Sequence, residues 1–338
     1  MATVQLADVY TPLTFERVAQ QAQLETNRFL ASGIMVNDPL ITQRLSGGAQ
    51  SIDLPQFKGL GIKEPNYSSD VAANKSVPNK LEGVLQKARS SQRNDSWAEM
   101  DLAADLNLGE DALAAIGGRV GQFWSTDDEH RLISSLQGVK ADNIANDSSD
   151  MVYTVATDDA GAITDAERIS ADAIAEAMQT MGDHKDKLVA IAMNSRVQTQ
   201  LQKLKLVEPL YDSANGGAFM FNTYNGLRII VDDSLEPEAG SNRLTYTTIL
   251  FAGGSVGFGT GPVKNPSALD RDETSGDGGG ESFLHSRVNT CLHPYGFQFT
   301  SNSVAANSAN YVELESAVNW DRVTERKLVG IAFLETNG

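Results

Sequence analysis

An α+β fold is the class this sequence predicts, and three observations predict it. Residues 109–137 carry one long helical pattern, helices and strands alternate from about residue 151, and strand texture returns in FLHSRVNTCLHPYGFQFT and KLVGIAFL near the end. With 41% hydrophobic and 21% charged residues among 338, the chain can bury a large core. Cores stop growing at a few hundred residues, so two unequal units are expected.

The first 18 residues, MATVQLADVYTPLTFERV, lack the basic stretch and apolar run of a signal peptide, so no export is expected. Residues 12–32 place Phe15, Val18, Ala19, Ala22, Thr26 and Phe29 at helical spacing, with Pro12 near the start and Gly33 past the end, which predicts a short amphipathic helix. From 46 to 98 weak alternation gives way to recurrent Gly, Pro, Asn and Ser with too few apolar residues for a core. A long projecting hairpin is expected, and loops of that length usually carry function.

In 109–137, Leu113, Ile116, Val120, Phe123, Leu132, Ile133 and Leu136 share one side, Trp124 is expected to anchor the core, and Gly138 reads as the C-terminal stop. Gly117, Gly118 and Gly121 weaken helix propensity and so suggest close packing against another backbone. The acidic run Asp127, Asp128 and Glu129 reads as a solvated face. Beyond 151, MVYTVA reads as a strand, Ser170 caps a helix bearing Ile174, Met178 and Met181, and LVAIAM reads as a buried strand. A helix follows from Asn194 or Ser195 with Val197, Leu201 and Leu204, and then the strands LRIIVDD, LTYTTILFA and SVGFG. After a break over 262–280 the C-terminal strands are expected to rejoin the long helix.

Charge is uneven. Lys and Arg number 27 against 44 Asp and Glu, net −17, which excludes a basic nucleic-acid binder. Residues 94–186 hold 20 acids and 5 bases, net −15, whereas 74–93 hold Lys75, Lys80, Lys87, Arg89 and Arg93 against Glu82 alone, net +4. Complementary fields on one chain favour head-to-tail contact between copies, although solvated faces explain them equally well.

Motifs for chemistry are weak. Gly253-Gly254-Ser255-Val256-Gly257 matches the nucleophile elbow of serine hydrolases, and Asp270, Asp272 or Asp277 followed by His285 or His293 keeps the required order. The elbow needs a helix after the serine, and Gly259, Gly261 and Pro262 forbid one. Asp270, Asp272 and Glu281 fall at positions 1, 3 and 12 of a calcium-loop register, but Thr274 and Ser275 break it, so an acidic surface loop is expected. His285, Cys291 and His293 share one strand face and read as packing; no metal site is expected. Phosphate-binding glycine motifs are absent, and no cofactor is expected. The longest apolar runs fall far short of the roughly 20 residues that span a bilayer, so no membrane partner is expected.

The order of elements, together with DALAAIGGRVGQFWSTDDEHRLISSLQGV, RVNTCLHPYGFQFT and ANYVELESAVNWDRVTERKLVGIAFLETNG, resembles the major capsid proteins of tailed double-stranded DNA bacteriophages, the Hong Kong 97-type fold. The resemblance implies an N-arm over 1–45, an extended loop (E-loop) over 46–98, a peripheral (P) domain over 99–150 and 282–338 with its spine helix at 109–137, and an axial (A) domain over 151–281. It implies a shell protein, not an enzyme, that forms hexamers and pentamers of an icosahedral head in the virion, assembled in the host cytoplasm around DNA that is enclosed but not specifically bound. An anionic wall would not trap the genome electrostatically. The implied subunit contacts are the basic E-loop residues Lys75, Lys80, Lys87, Arg89 and Arg93, placed to meet acidic surfaces of the next copy, with Arg17 and Arg28 on the N-arm and Phe123 and Trp124 packing the spine.

Some family members carry a long helical pre-sequence. This chain starts almost directly at the arm, so a separate scaffolding protein is expected beside a portal and a possible decoration protein. Others join an E-loop Lys to a P-domain Asn; no motif selects Lys75 or Lys80 with Asn307, Asn310 or Asn319, and no cross-link is expected. The rival expectations are an encapsulin-like compartment shell and, more remotely, a hydrolase using Ser255.

Overall fold

The computed structural model describes residues 29, 32–57, 64–71, 73–102, 119–212 and 218–338. The predicted helix over 12–32 falls almost wholly outside them, as do Arg17, Arg28, Leu113, Ile116, Gly117 and Gly118. Its end is visible: Phe29 is fully buried edge-on to Phe251, and Gly33 turns the chain at φ +80°.

Strand β1 (Met35–Asn37) leads into helix α1 (Pro39–Ser46), whose N-cap Asp38 accepts a hydrogen bond from the Leu40 amide, 2.8 Å. Strands β2 (Ser51–Phe57) and β3 (Gly83–Arg89) pair antiparallel along their whole length. These are the base of the predicted hairpin. Its far boundary differs from the expectation, because β4 (Ser91–Met100) leaves the hairpin and pairs residue for residue with Glu281–Thr290. Mostly polar, SQRNDSWAEM lacks the alternation that marks a half-buried strand, since its order comes from a partner almost two hundred residues away.

Helix α2 (Val120–Asn146) is the long helix. It does not stop at Gly138. A Cβ there would lie 2.0 Å from the Leu314 carbonyl oxygen and 2.5 Å from Trp320 Nε1, so the glycine admits a crossing backbone in mid-helix. The close approach expected at Gly121 is not found, for a Cβ there meets nothing within 4 Å.

Next come β5 (Val152–Thr154), α3 (Ala171–Gln179), β6 (Leu188–Met193), α4 (Ser195–Lys203), β7 (Glu208–Asp212), β8 (Ala218–Tyr224), β9 (Leu227–Val231), β10 (Glu238–Ala239) and β11 (Leu244–Ala252). As predicted, Ser170 accepts from the Ala173 amide at 3.2 Å, and Asn194 from the Arg196 amide at 2.9 Å. Beyond them lie β12 (Val256–Thr260), β13 (Ser267–Asp272), β14 (Glu281–Pro294), β15 (Phe297–Phe299), helix α5 (Tyr311–Glu315), β16 (Trp320–Arg322) and β17 (Ile331–Thr336).

The eight-stranded sheet runs β5-β17-β11-β6-β9-β8-β7, with β10 on β11. Its central strands are apolar on both faces because both are covered. Ile331, Phe333, Ile249, Phe251, Ala190 and Ala192 face a core shared with Leu132, Leu136 and Val139 of α2. Their neighbours Ala332, Leu334, Leu250, Ile191 and Met193 face Ile174, Val197 and Leu201 of α3 and α4. Thus β17 does return to the long helix, yet as a strand of this sheet rather than of the peripheral unit.

Conversely, β12 and β13 pair with β14 in the second, five-stranded sheet with β1 and β4. The chain passes between sheets at Gly253-Gly254, where Gly254 has φ +66°, and again at Gly330, where a Cβ would lie 2.9 Å from that of Ala252. The predicted division at 281/282 therefore falls inside the second sheet. No described helix is long and apolar enough to cross a membrane.

Candidate assembly interface

The hairpin is built from the base outward. Ile52, Leu54 and Ala88 turn inward onto Ile41, Leu45 and Cys291, while Phe57 (72% exposed) and Leu85 point to solvent. Farther out every described residue from 64 to 82 is exposed. Tyr67 (77%), Val71, Val77 (63%) and Leu81 stand there as large apolar groups without cover, beside Lys75 and Lys80. Water-facing apolar side chains in one projecting segment mark a contact surface.

The five basic residues divide. Lys75, Lys80 and Lys87 are exposed, and Lys80 makes only a solvated pair with Glu82 at 3.0 Å. Arg89 and Arg93 are used inside the subunit. Arg89 donates to the Ala306 and Asn307 carbonyls at 3.1 and 2.9 Å and to Ser301 Oγ at 2.7 Å, fastening the hairpin base to the 301–309 loop. Arg93 pairs with Asp127 and, at 2.6 Å, with Asp128, and its guanidinium lies 5.5 Å from the Trp124 ring centroid. The run Asp127 to Glu129 is correspondingly not a solvated face: Asp128 and Glu129 are buried, and Asp127 also accepts from the Tyr311 hydroxyl. Nearby, burial and the Arg93 charge together lower the Arg131 pKa to about 10.

Trp124 is a partly buried anchor whose Nε1 donates to Ser286 Oγ at 2.9 Å. Phe123 is exposed and packs edge-on between Trp97 and Trp124. A second joint escaped the sequence reading: Lys140 of α2 is 4% exposed and reaches Glu238, Glu335 at 3.1 Å and Thr247 Oγ1 at 3.0 Å, tying the long helix to the eight-stranded sheet. Its signal is a lone charge in an otherwise uncharged helical stretch, LISSLQGVKA.

The chemical candidates do not assemble. Ser255 sits on a turn between two strands, and its buried Oγ has no hydrogen-bond partner among the described residues. Asp272 is occupied with Thr274, accepting from its amide at 2.9 Å and its hydroxyl at 2.7 Å, and Asp270 accepts from the Arg271 amide. No group of three or more potential metal ligands occurs among the described residues. Asn319 is buried and spent on the Glu313 carbonyl and the Ser303 amide.

Two buried groups make stability depend on pH in opposite directions. Burial lowers the His293 pKa to about 4, and burial raises that of Asp142 to about 6; each is 1% exposed. The folded chain refuses the His293 proton that the unfolded chain takes near pH 6.5, so that stability is lost as pH falls from 6.5 towards 4. It keeps the Asp142 proton that the unfolded chain releases near 3.8, so that stability is lost as pH rises from 3.8 through 6. Between pH 4 and 6 the two nearly cancel. Asp142→Asn removes one side, and chemical denaturation should show the variant losing up to about 3 kcal/mol relative to the parent as pH falls across that window. Parallel pH profiles would refute the assignment.

No family model matches the chain. A curated relative, the major capsid protein of Bacillus phage SPP1, is 29% identical over 338 residues, covering 98% of this chain and 97% of its own. Among solved structures, the capsid of Ralstonia phage GP4 aligns with a TM-score of 0.57 at 11% identity over 93% of this chain and 92% of that one. The acid-stable capsid of Helicobacter pylori bacteriophage KHP30 aligns at 0.52, with 11% identity over 93% and 91%. These neighbours have the Hong Kong 97-type fold that the element order resembles.

Proposed function

We propose, from the premise that this chain is a major capsid protein of a tailed bacteriophage, that it builds the head by laying the hairpin of one copy over the body of the next. Its place is the virion and its role structural, not enzymatic. The observation that carries the reading is the exposed segment over 64–82, where apolar groups project beside Lys75 and the solvated Lys80–Glu82 pair from a subunit that is otherwise strongly acidic. Hexamers and pentamers of an icosahedral shell are the assembly such a subunit serves, with the N-arm, E-loop, P-domain and A-domain as its parts. The E-loop is best taken as residues 51–89, whose two described strands pair with each other as a two-stranded sheet. A separate scaffolding protein, a portal and a decoration protein are the partners we assign, and the DNA is enclosed rather than gripped.

Among the basic residues, the contact falls to Lys75, Lys80 and Lys87, because Arg89 and Arg93 are already engaged within the subunit. Expressed protein, alone and with its operon neighbours, should give shells, tubes or capsomers by negative-stain electron microscopy. Replacing Lys75, Lys80 and Lys87 together with Glu should reduce assembly about tenfold or more while leaving the unfolding midpoint within a degree or two of the parent, since exposed positions rarely change stability by more than about 0.5 kcal/mol. Normal shells from that triple variant would refute the hairpin contact. A small monodisperse species under every condition would refute the shell itself.

A further inference from the structure

We propose that the exposed face of α4 bearing Arg196 and Lys203 docks against the exposed face of α3 bearing Asp172 and Glu176 on a second copy of this chain. The inference rests on the reading of the chain as a self-assembling subunit and names a contact which that reading leaves open.

Both helices lie on the same side of the eight-stranded sheet, sharing one core through Ile174, Ala177, Val197 and Leu201. Their outer faces carry opposite charge. On α3, Asp172 and Glu176 stand one turn apart and exposed; on α4, Arg196 and Lys203 are exposed with half-buried Gln200 between them, and together with Arg168 they line a shallow pocket. Among the described residues none of Asp172, Glu176, Arg196 or Lys203 has an ion-pair partner.

Helix electrostatics explains two of the four and rejects the others. Asp172 in the first turn of α3 and Lys203 in the last turn of α4 complement their helix dipoles. Glu176 lies towards the C-terminal end of α3 and Arg196 at the N-terminal end of α4, each at the pole of its own charge. Asp172 and Glu176 also repel one another at i, i+4. An isolated subunit thus bears uncompensated charge on two helices of one layer, opposite in sign, and a second copy supplies what each lacks.

With the α3 face of one subunit on the α4 face of the next and each face used towards a different neighbour, the contact is heterologous. Repeated head to tail it closes a ring about a rotation axis, as a capsomer requires.

The test is a charge swap read by sedimentation and electron microscopy. Arg196→Glu with Lys203→Glu, and separately Asp172→Lys with Glu176→Lys, should each lower the yield of assembled particles about tenfold, because like charges then face each other across the contact. Combining all four should restore assembly, while circular dichroism and unfolding midpoints stay at parental values. Restoration supports the pairing. Normal assembly by both double variants, or a quadruple variant as defective as either, overturns it. Should the parent itself never assemble, the capsid reading falls first and by a separate route.

Discussion

Arg93→Met should destabilise the folded subunit by about 3–5 kcal/mol, the cost of leaving buried carboxylates without their counter-ion. Arg93 reaches from β4 to α2, with Asp127 and Asp128 as its ion-pair partners, the Trp124 ring beside its guanidinium and Thr290 Oγ1 within hydrogen-bonding reach. Methionine fills a similar volume, so the loss reports charge rather than a cavity. The same logic sets the control. Arg93→Met combined with Asp127→Asn and Asp128→Asn removes both signs at once and should recover much of the deficit, since an apolar or neutral replacement of a whole buried ionic cluster costs far less than deletion of one partner. Urea denaturation of the unassembled subunits measures both. A single variant as stable as the parent would show that Arg93 is a surface cation after all and would return it to the intersubunit contact, with Lys87 as its neighbour.

That reversal of role illustrates where sequence reading succeeds. The strands LVAIAM and TTILFA were legible because a sheet covered on both faces leaves a continuous apolar run, and the caps Ser170 and Asn194 because a cap is a contact two or three residues long. Lys75 and Lys80 were legible as exposed because nothing near them in sequence could bury them. Asp127 and Asp128 were not legible as ion-paired, for their partner Arg93 lies 34 and 35 residues earlier, in a strand whose own existence depends on β14. The same holds for the place of β17, whose apolar run identifies a strand but not its neighbours β5 and β11. Local chemistry writes local structure; partners far along the chain decide which charges remain for assembly. The helix faces of α3 and α4 belong to the first kind, since Arg196 at a helix N-terminus is unfavourable by position alone.

Gly138→Ala should destabilise the subunit by about 2–4 kcal/mol even though alanine is the better helix former by about 1 kcal/mol. Two terms oppose the propensity gain. The new methyl would lie 2.0 Å from the Leu314 carbonyl oxygen, which is backbone and cannot swing aside, so α5 must retreat from α2. That retreat loosens the Trp320 ring, whose Nε1 donates to the same carbonyl at 2.7 Å and which packs T-shaped with Phe299, ring centroids 5.0 Å apart. A buried donor and acceptor left imperfectly paired cost about 1–3 kcal/mol, and overpacking adds a similar amount, which together exceed the propensity term. Gly121→Ala, in the same helix with open space where its methyl would go, isolates that term and should leave stability unchanged or raise it by up to about 1 kcal/mol. Opposite signs at two glycines of one helix, measured by denaturant titration, are therefore the expected result. If both substitutions stabilise, the chain does not cross α2 at residue 138, and Gly138 is then no more than the poor helix former that its identity suggests.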